Sequence, residues 1–269
     1  MKPAPIADLG STWALVPLRG LEDAKTRLGA ELDPEERLEL VIAMASRTLA
    51  ATRDAAGIAG TVLVTADPAA AELAAGFGAR TIVQRLPGLN AALREARAVA
   101  AELGSTAVLV LPIDLPAVSP AALGELLAEG VGALEAGRPL VVVVPDRHAR
   151  GTNALLVSPP TAIEPAFGEA SLATHLAAAV AAGAVVREHG GPLTIDVDTG
   201  ADLLVAEAAG IAGADGIAGA DGIAGADGIA GADGIAGADR NVGGAGTAGA
   251  GAGPGGPRGA AGAGGRDAA

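Results

Sequence analysis

TAVLVLPID, residues 106–114, decides how the rest of the chain is read. From Ala107 to Leu111 every side chain is apolar, and Val108, Val110 and Ile113 are β-branched. A strand with one face in water would alternate polar and apolar residues. A run with both faces apolar fits a strand covered on both sides, the strand type of parallel sheets. The run ends in Asp114, inside LPIDLP, so a carboxylate is expected at the carboxyl edge of the sheet.

Strands of the same kind recur on either side, separated by helical patterns. TWALVPL (12–18) and TVLVTA (61–66) precede it, with a shorter RTIVQ (80–84) between. PLVVVVP (139–145) and TNALLV (152–157) follow, joined by the polar turn DRHARG. Two further strands are expected near 184–188 and 193–197, the second ending in Asp196-Val197-Asp198. Helix starts lie between them. Asp33-Pro34-Glu35-Glu36 has a capping-box spacing with proline at the first helical position, and Ser119-Pro120 repeats the cap-plus-proline signal. Helices are also expected over 68–76, 90–103, 172–182 (capped by Ser171) and 200–209. This order implies an α/β fold: one Rossmann-like domain with a mostly parallel, mixed sheet covered by helices on both faces. Ligands of such sheets bind beyond the carboxyl ends of the strands.

The glycines set the boundary of that domain. Of 41 glycines, 22 follow residue 209, and GIAGAD repeats five times from Gly210 to Asp239. A hexapeptide β-helix would need more coils than five repeats supply. Residues 210–269 are therefore expected to be a disordered, low-complexity Gly/Ala-rich tail, and residues 1–209 the working domain.

Composition excludes several classes of function. There is no cysteine, so no disulfide framework and no thiolate site. The three histidines are not spaced as a metal motif. A net charge of −13, one Trp, two Phe and no Tyr give no nucleic-acid footprint. No membrane span and no secretory h-region are seen, so a soluble cytoplasmic protein is expected.

Four segments carry candidate chemistry. The loop after the first strand holds Arg19, Lys25 and Arg27. Cations there suit a nucleoside triphosphate, although a solvated basic turn has the same composition. Lys25 is the only lysine after residue 2 in a chain that otherwise uses arginine. Asp114 suits a hard cation such as Mg2+, the alternative being a turn aspartate. Asp196 and Asp198, read on a strand, project to one face and repel unless a cation lies between them. Gly151-Thr152-Asn153 and Phe167-Gly168-Glu169-Ala170-Ser171 supply a glycine turn and a helix start, both natural anion sites and both ordinary turn chemistry. His175 reads as a surface or core histidine.

Taken in order, VPLRGLEDAKTRL, LPIDLP, VVVVPDRHARGTNALL, FGEASLATH and IDVDTGADL resemble the CofC or FbiD family of 2-phospho-L-lactate and phosphoenolpyruvate guanylyltransferases. The resemblance covers roughly residues 12–209 and implies a nucleotidyltransferase fold of the glycosyltransferase-A type. It implies GTP and phosphoenolpyruvate as substrates, enolpyruvyl-2-diphospho-5'-guanosine and diphosphate as products, and a place in coenzyme F-420 synthesis. By the same resemblance Asp114, Asp196 and Asp198 would hold Mg2+, with Lys25 and Asp114 at the reaction centre. Thr152, Gly168 and Ser171 would bind phosphoenolpyruvate. Arg19, where the family often has lysine, would join Lys25 and Arg27 on the nucleotide phosphates, with Asn90 reading the guanine edge. Other acceptors remain open, namely 2-phospho-L-lactate and 3-phospho-D-glycerate. So do a molybdopterin or sugar-phosphate nucleotidyltransferase, a non-catalytic nucleotide-binding module, a homodimer and a downstream coenzyme-transfer enzyme as partner.

Overall fold

A computed structural model describes residues 8–22 and 24–208. Seven strands form one sheet: β1 (Thr12–Pro17), β2 (Ile58–Thr65), β3 (Arg80–Val83), β4 (Ala107–Val110), β5 (Leu140–Pro145), β6 (Thr152–Ser158) and β7 (Val185–Glu188). Their spatial order is β3-β2-β1-β4-β6-β5-β7. β6 is antiparallel to both β4 and β5, and every other pairing is parallel. Among the described residues, five α-helices lie between the strands, α1 (Pro34–Asp54), α2 (Pro68–Gly76), α3 (Leu89–Glu102), α4 (Pro120–Gly132) and α5 (Ser171–Ala181), and α6 (Gly200–Ala208) follows the last. The mostly parallel mixed sheet expected from the strand composition is the sheet observed.

Why the strands read as unbroken apolar runs follows from the two cores. Successive residues of a strand face opposite sides. Leu109, Val142, Val144 and Leu156 pack with Leu123, Leu126 and Leu127 of α4 on one face. Their neighbours Val108, Val110, Val141, Val143, Leu155 and Val157 pack with Ala92, Leu93 and Ala96 of α3 and Leu172 of α5 on the other. Both sets are buried, so these central strand positions are apolar at both phases. The capping signals hold as well. Asp33 Oδ1 accepts from the Glu35 and Glu36 amides at 2.9 and 3.0 Å, and Glu36 returns a bond to the Asp33 amide at 2.9 Å.

Two expectations need correction. β4 stops at Val110, so Asp114 lies four residues past the strand, in the turn that leads to α4. The strand expected over 193–197 is absent. Pro192–Thr194 forms a 3-10 turn, and Ile195–Thr199 runs on without sheet partners. Ile195 and Val197 are nonetheless turned inward. Val197 is fully buried with Leu28 and Ala206, and Ile195, Leu32, Leu40 and Leu203 pack against them. This small core joins the loop after β1 to the segment that enters α6. Fully burying Leu28 stabilises by about 1.5–3 kcal/mol. That holds a three-residue 3-10 turn (Thr26–Leu28) which could not persist alone. The tail expectation for 210–269 falls outside the described residues.

The strand order reverses at β1. The chain proceeds outward from β1 through β2 to β3, then returns to place β4 on the other flank of β1. The loops after β1 and β4 therefore diverge and leave a crevice between them, where open α/β sheets bind ligands.

Candidate active site

Lys25 sits in that crevice. Its backbone is left-handed, φ 55° and ψ 32°, and the 3-10 turn follows at once. Its Nζ donates to Asp114 Oδ2 at 3.0 Å and Asp198 Oδ1 at 2.6 Å. The side chain is only 7% exposed. Burial alone would lower the ammonium pKa, but the charges and hydrogen bonds of Asp114 and Asp198 outweigh it and hold it above its ordinary value. Arg27 is 76% exposed and reaches Asp198 Oδ2 at 4.0 Å, a pairing of little energetic weight. Arg19 is exposed and lines the same crevice.

Asp196 completes an acidic group. Its carboxyl is pushed above the usual range, first by burial and then by the charges of Asp114 and Asp198. The Asn153 amide opposes this by donating at 3.5 Å to Asp196 Oδ1, and it also donates to Leu193 O at 3.1 Å. The arrangement differs from the expected three-carboxylate metal cluster. Among the described residues no three His, Asp or Glu side chains converge on one metal position. Lys25 stands between two of the three expected ligands instead. The physical reason is that Asp196 and Asp198 do not lie on a strand, so they are not held to one face.

Asp198 is positioned by a clamp that the sequence reading missed. Asp202 Oδ2 accepts from the Asp198 amide at 3.1 Å, the Thr199 amide at 2.7 Å and the Thr199 hydroxyl at 2.8 Å. Arg147, from the turn between β5 and β6, pairs with Asp202 Oδ1. Burial pushes the Asp202 carboxyl up, but the Thr199 hydroxyl, the two amides and Arg147 prevail and hold it below its ordinary value. The available signal was Thr199-x-x-Asp202, a capping-box spacing at the start of α6.

The proposed acceptor residues gather around His175. Thr152 Oγ1 lies 2.9 Å from His175 Nδ1, and the Ala166 amide donates to His175 Nε2 at 3.0 Å. The Phe167 ring meets the imidazole edge-on at 4.9 Å. Gly168 follows with φ 134°, a backbone closed to L side chains. Ser171 is buried and opens α5, but it is not the cap. Ala170 occupies that position with a left-handed backbone and no side-chain bond. Two amides of this helix start are already engaged, Ser171 N with Gly168 O at 3.2 Å and Leu172 N with Arg150 O at 3.2 Å. The second bond ties the start of α5 to the DRHARG turn. Within that turn Gly151 has no room for a Cβ, which would come within 2.8 Å of Asp146 Oδ2.

Asn90 has a different role from the one expected. Its Nδ2 donates to Phe167 O at 2.9 Å and its Oδ1 accepts from Phe167 N at 2.8 Å. Each end of the amide bonds the Phe167 backbone, so Asn90 fixes the loop that carries Gly168.

The crevice has two compartments. The larger, about 530 Å³, is lined by Arg19, Lys25, Arg27, Asp114 and Asp198. A smaller recess of about 240 Å³ shares Arg19, Leu18 and Leu89 with it and adds Val64, Gln84, Gly88 and Ala92. The first is dominated by charged side chains, and the second is mostly apolar apart from Arg19 and Gln84. Among the described non-glycine residues with positive φ are Lys25, Ala149 and Ala170. Each lies in a loop of this site. Strained backbone conformations persist where surrounding structure imposes them, commonly at functional sites.

Residues 12–210 match the family model described as CofC-like guanylyl transferase. A phosphoenolpyruvate guanylyltransferase of Rubrobacter xylanophilus is 43% identical over 204 residues, which span 74% of this chain and 95% of that protein. One from Sphaerobacter thermophilus is 40% identical over 196 residues, 72% of this chain and 91% of that protein. Among solved structures, a protein from Desulfovibrio desulfuricans described as a nucleotide-diphospho-sugar transferase superposes with a TM-score of 0.52 at 15% identity. It covers 70% of this chain and 82% of its own. That likeness concerns the fold.

Proposed function

Because this chain belongs to the CofC-like guanylyl transferase family, we propose that it transfers GMP from GTP to phosphoenolpyruvate, giving enolpyruvyl-2-diphospho-5'-guanosine and diphosphate. The observation that carries the reading is Lys25, buried between Asp114 and Asp198 at the switch point of the sheet. Such a cation faces the polyphosphate of a nucleotide in a crevice of nucleotide size.

The chemistry asks little of covalent catalysis. An oxygen of the acceptor phosphate, already anionic, forms a bond to the α-phosphorus of GTP. The bond from that phosphorus to the bridging oxygen breaks, and diphosphate leaves with the electron pair. No base and no nucleophilic side chain is needed, in keeping with a chain that has no cysteine. The difficulty is electrostatic, since two polyanions must meet and a third must depart. Lys25 offsets charge on the β- and γ-phosphates, with Arg19 and Arg27 at the rim. Guanine takes the smaller recess, where Arg19 and Gln84 supply polar side chains. Thr152, Gly168 and Ser171 receive the acceptor.

Mg2+ fits the donor set. Asp114 and Asp198 present hard carboxylate oxygens to a cation already, and Asp196 stands in surplus negative charge beside them. Asp114 and Asp198 would hold the ion, with Asp196 adding charge beside them, and when bound it would supply neutralisation of the triphosphate and of leaving diphosphate.

An acceptor panel tests the reading. GTP and Mg2+ are incubated with phosphoenolpyruvate, 2-phospho-L-lactate or 3-phospho-D-glycerate, and the guanylylated product is identified by mass. Phosphoenolpyruvate is expected to be consumed fastest. Consumption of none of the three ends the proposal, and preference for another acid reassigns the acceptor.

We also propose that residues 1–209 are the working domain. Ala206 of α6 is already fully buried against Leu28 and Val197, so the core of the site loops closes within that span. A chain ending at residue 209 is expected to keep its melting temperature within a few degrees and its turnover within about twofold, as for removal of residues outside a core. A large drop in either measurement would give residues 210–269 a structural part.

A further inference from the structure

His175 is fully buried on α5, and both of its ring nitrogens are engaged. A backbone amide is an obligatory donor, so His175 Nε2, 3.0 Å from Ala166 N, accepts. Burial pushes the imidazole pKa down to about 4, so the ring is neutral and carries a single proton. With the Nε2 lone pair taken, that proton is on Nδ1. Nδ1–H therefore donates to Thr152 Oγ1 at 2.9 Å. A hydroxyl has one hydrogen. Once its oxygen accepts from His175, the hydrogen of Thr152 is left for a different acceptor. Among the described residues, His175 is the hydrogen-bond partner recorded for that hydroxyl.

The place of Thr152 says what that acceptor is. β6 runs antiparallel to β4 with Leu155 opposite Val110. Thr152, the first residue of β6, therefore lies at the end of the sheet where β4 finishes and the Asp114 turn begins. Its neighbour Asn153 reaches Asp196. The hydroxyl thus stands at the carboxylate edge of the sheet, where a neutral donor is the group an anionic substrate requires.

We propose that His175 is a positioning residue. By donating from Nδ1 it commits the Thr152 hydroxyl to donate its hydrogen to an oxygen of the phosphorylated acid. The inference rests on the reading of Thr152 as an acceptor residue. The same ring pins the acceptor loop through Ala166, and Asn90 pins it through Phe167, so donor and loop are fixed together.

The test is a double-mutant cycle on the full chain, varying GTP and phosphoenolpyruvate separately. In His175→Gln the side-chain amide can still accept from Ala166 at the Nε2 position, but the Nδ1 donor is lost. It is expected to raise the KM for phosphoenolpyruvate by about tenfold or more, the usual effect of losing a hydrogen bond to a charged group. The KM for GTP should stay within about twofold. Thr152→Val should raise the same KM, and adding His175→Gln to it should cost less than about twofold more, since the two act as a unit. His175→Asn keeps an N–H donor at the Nδ1 position, so its KM for phosphoenolpyruvate should stay within about threefold of wild type. Should His175→Gln fail to fold, a tenfold rise in His175→Asn overturns the proposal. So does a His175→Gln effect that multiplies that of Thr152→Val, or one that falls equally on GTP. If Thr152→Val alone leaves the acceptor KM unchanged, the reading of Thr152 fails and takes this inference with it.

Discussion

Lys25→Met is expected to lower kcat/KM for GTP by on the order of 10³-fold while leaving the fold intact. Methionine keeps the stem of the side chain and removes the ammonium. One preorganised charged donor in a water-poor site is worth roughly 10²–10³ in rate, and Lys25 is 7% exposed with both carboxylate partners in place. Lys25→Arg should rescue little. A planar guanidinium cannot replace a compact ammonium held at 2.6 and 3.0 Å from two separate carboxylates. A second readout guards against a merely structural role. Without the ammonium, Asp114 and Asp198 face each other unpaired, so the nucleotide-free variant should bind Mn2+ more tightly than wild type by electron paramagnetic resonance. Wild-type kcat/KM in Lys25→Met would remove the lysine from the reaction. Weakened Mn2+ binding would show that it supports the carboxylates rather than competing for them.

The sheet was legible because its strands are covered on both faces. A run such as residues 107–111 has no polar residue at either phase, and few other structures demand that. The missed element shows the limit of the same signal. TIDVD alternates apolar and acidic residues as a half-buried strand would. Here Val197 is buried with Leu28 and Ala206, and Ile195 packs half-buried against them, without a neighbouring ladder. Alternation reports that one side is inward. It does not report that the backbone has sheet partners, and Gly190-Gly191-Pro192 had already turned the chain away from β7.

The site was legible where a residue type was anomalous for its surroundings. Lys25 stood out in a chain of arginines, and Asp114 at the end of an apolar run. Residues that position them were not, because their meaning depends on distant partners. Arg147 and Asp202 meet across 55 positions, and Asn90 meets Phe167 across 77. Asn90 has the chemistry to read a base. Only the fold reveals that its amide holds the Phe167 backbone. His175 reads as a surface or core histidine, and it is a core one. The added information is that its two nitrogens face a fixed donor and a hydroxyl, which dictates the direction of both bonds.

The three aspartates are expected to separate by a combined measurement of activity and stability. Asp114→Asn and Asp198→Asn should each cut Mg2+-dependent diphosphate release by about 10³-fold or more, since each removes a ligand charge and a partner of Lys25. Wild-type rates in both would sink the metal assignment. Asp196→Asn should lower activity yet stabilise the metal-free protein near neutral pH. The folded state holds the Asp196 carboxyl above its ordinary 3.8, through burial and then the charges of Asp114 and Asp198. The native state therefore binds the proton more tightly than the unfolded chain does. Stability falls as pH rises from about that ordinary value through the raised one, so the ionised carboxyl is a penalty above it. Asparagine carries no charge and escapes it. In EDTA, then, Asp196→Asn should melt above wild type at pH 7, and the difference should vanish toward pH 3. Mg2+ with nucleotide should narrow the gap from the other side, because a cation favours the carboxylate that the empty fold disfavours. A variant that melts below wild type at every pH would mean that Asp196 serves packing through Asn153 and not charge. A stabilised, inactive variant would mean that the fold tolerates a destabilising carboxylate because the substrate complex uses it.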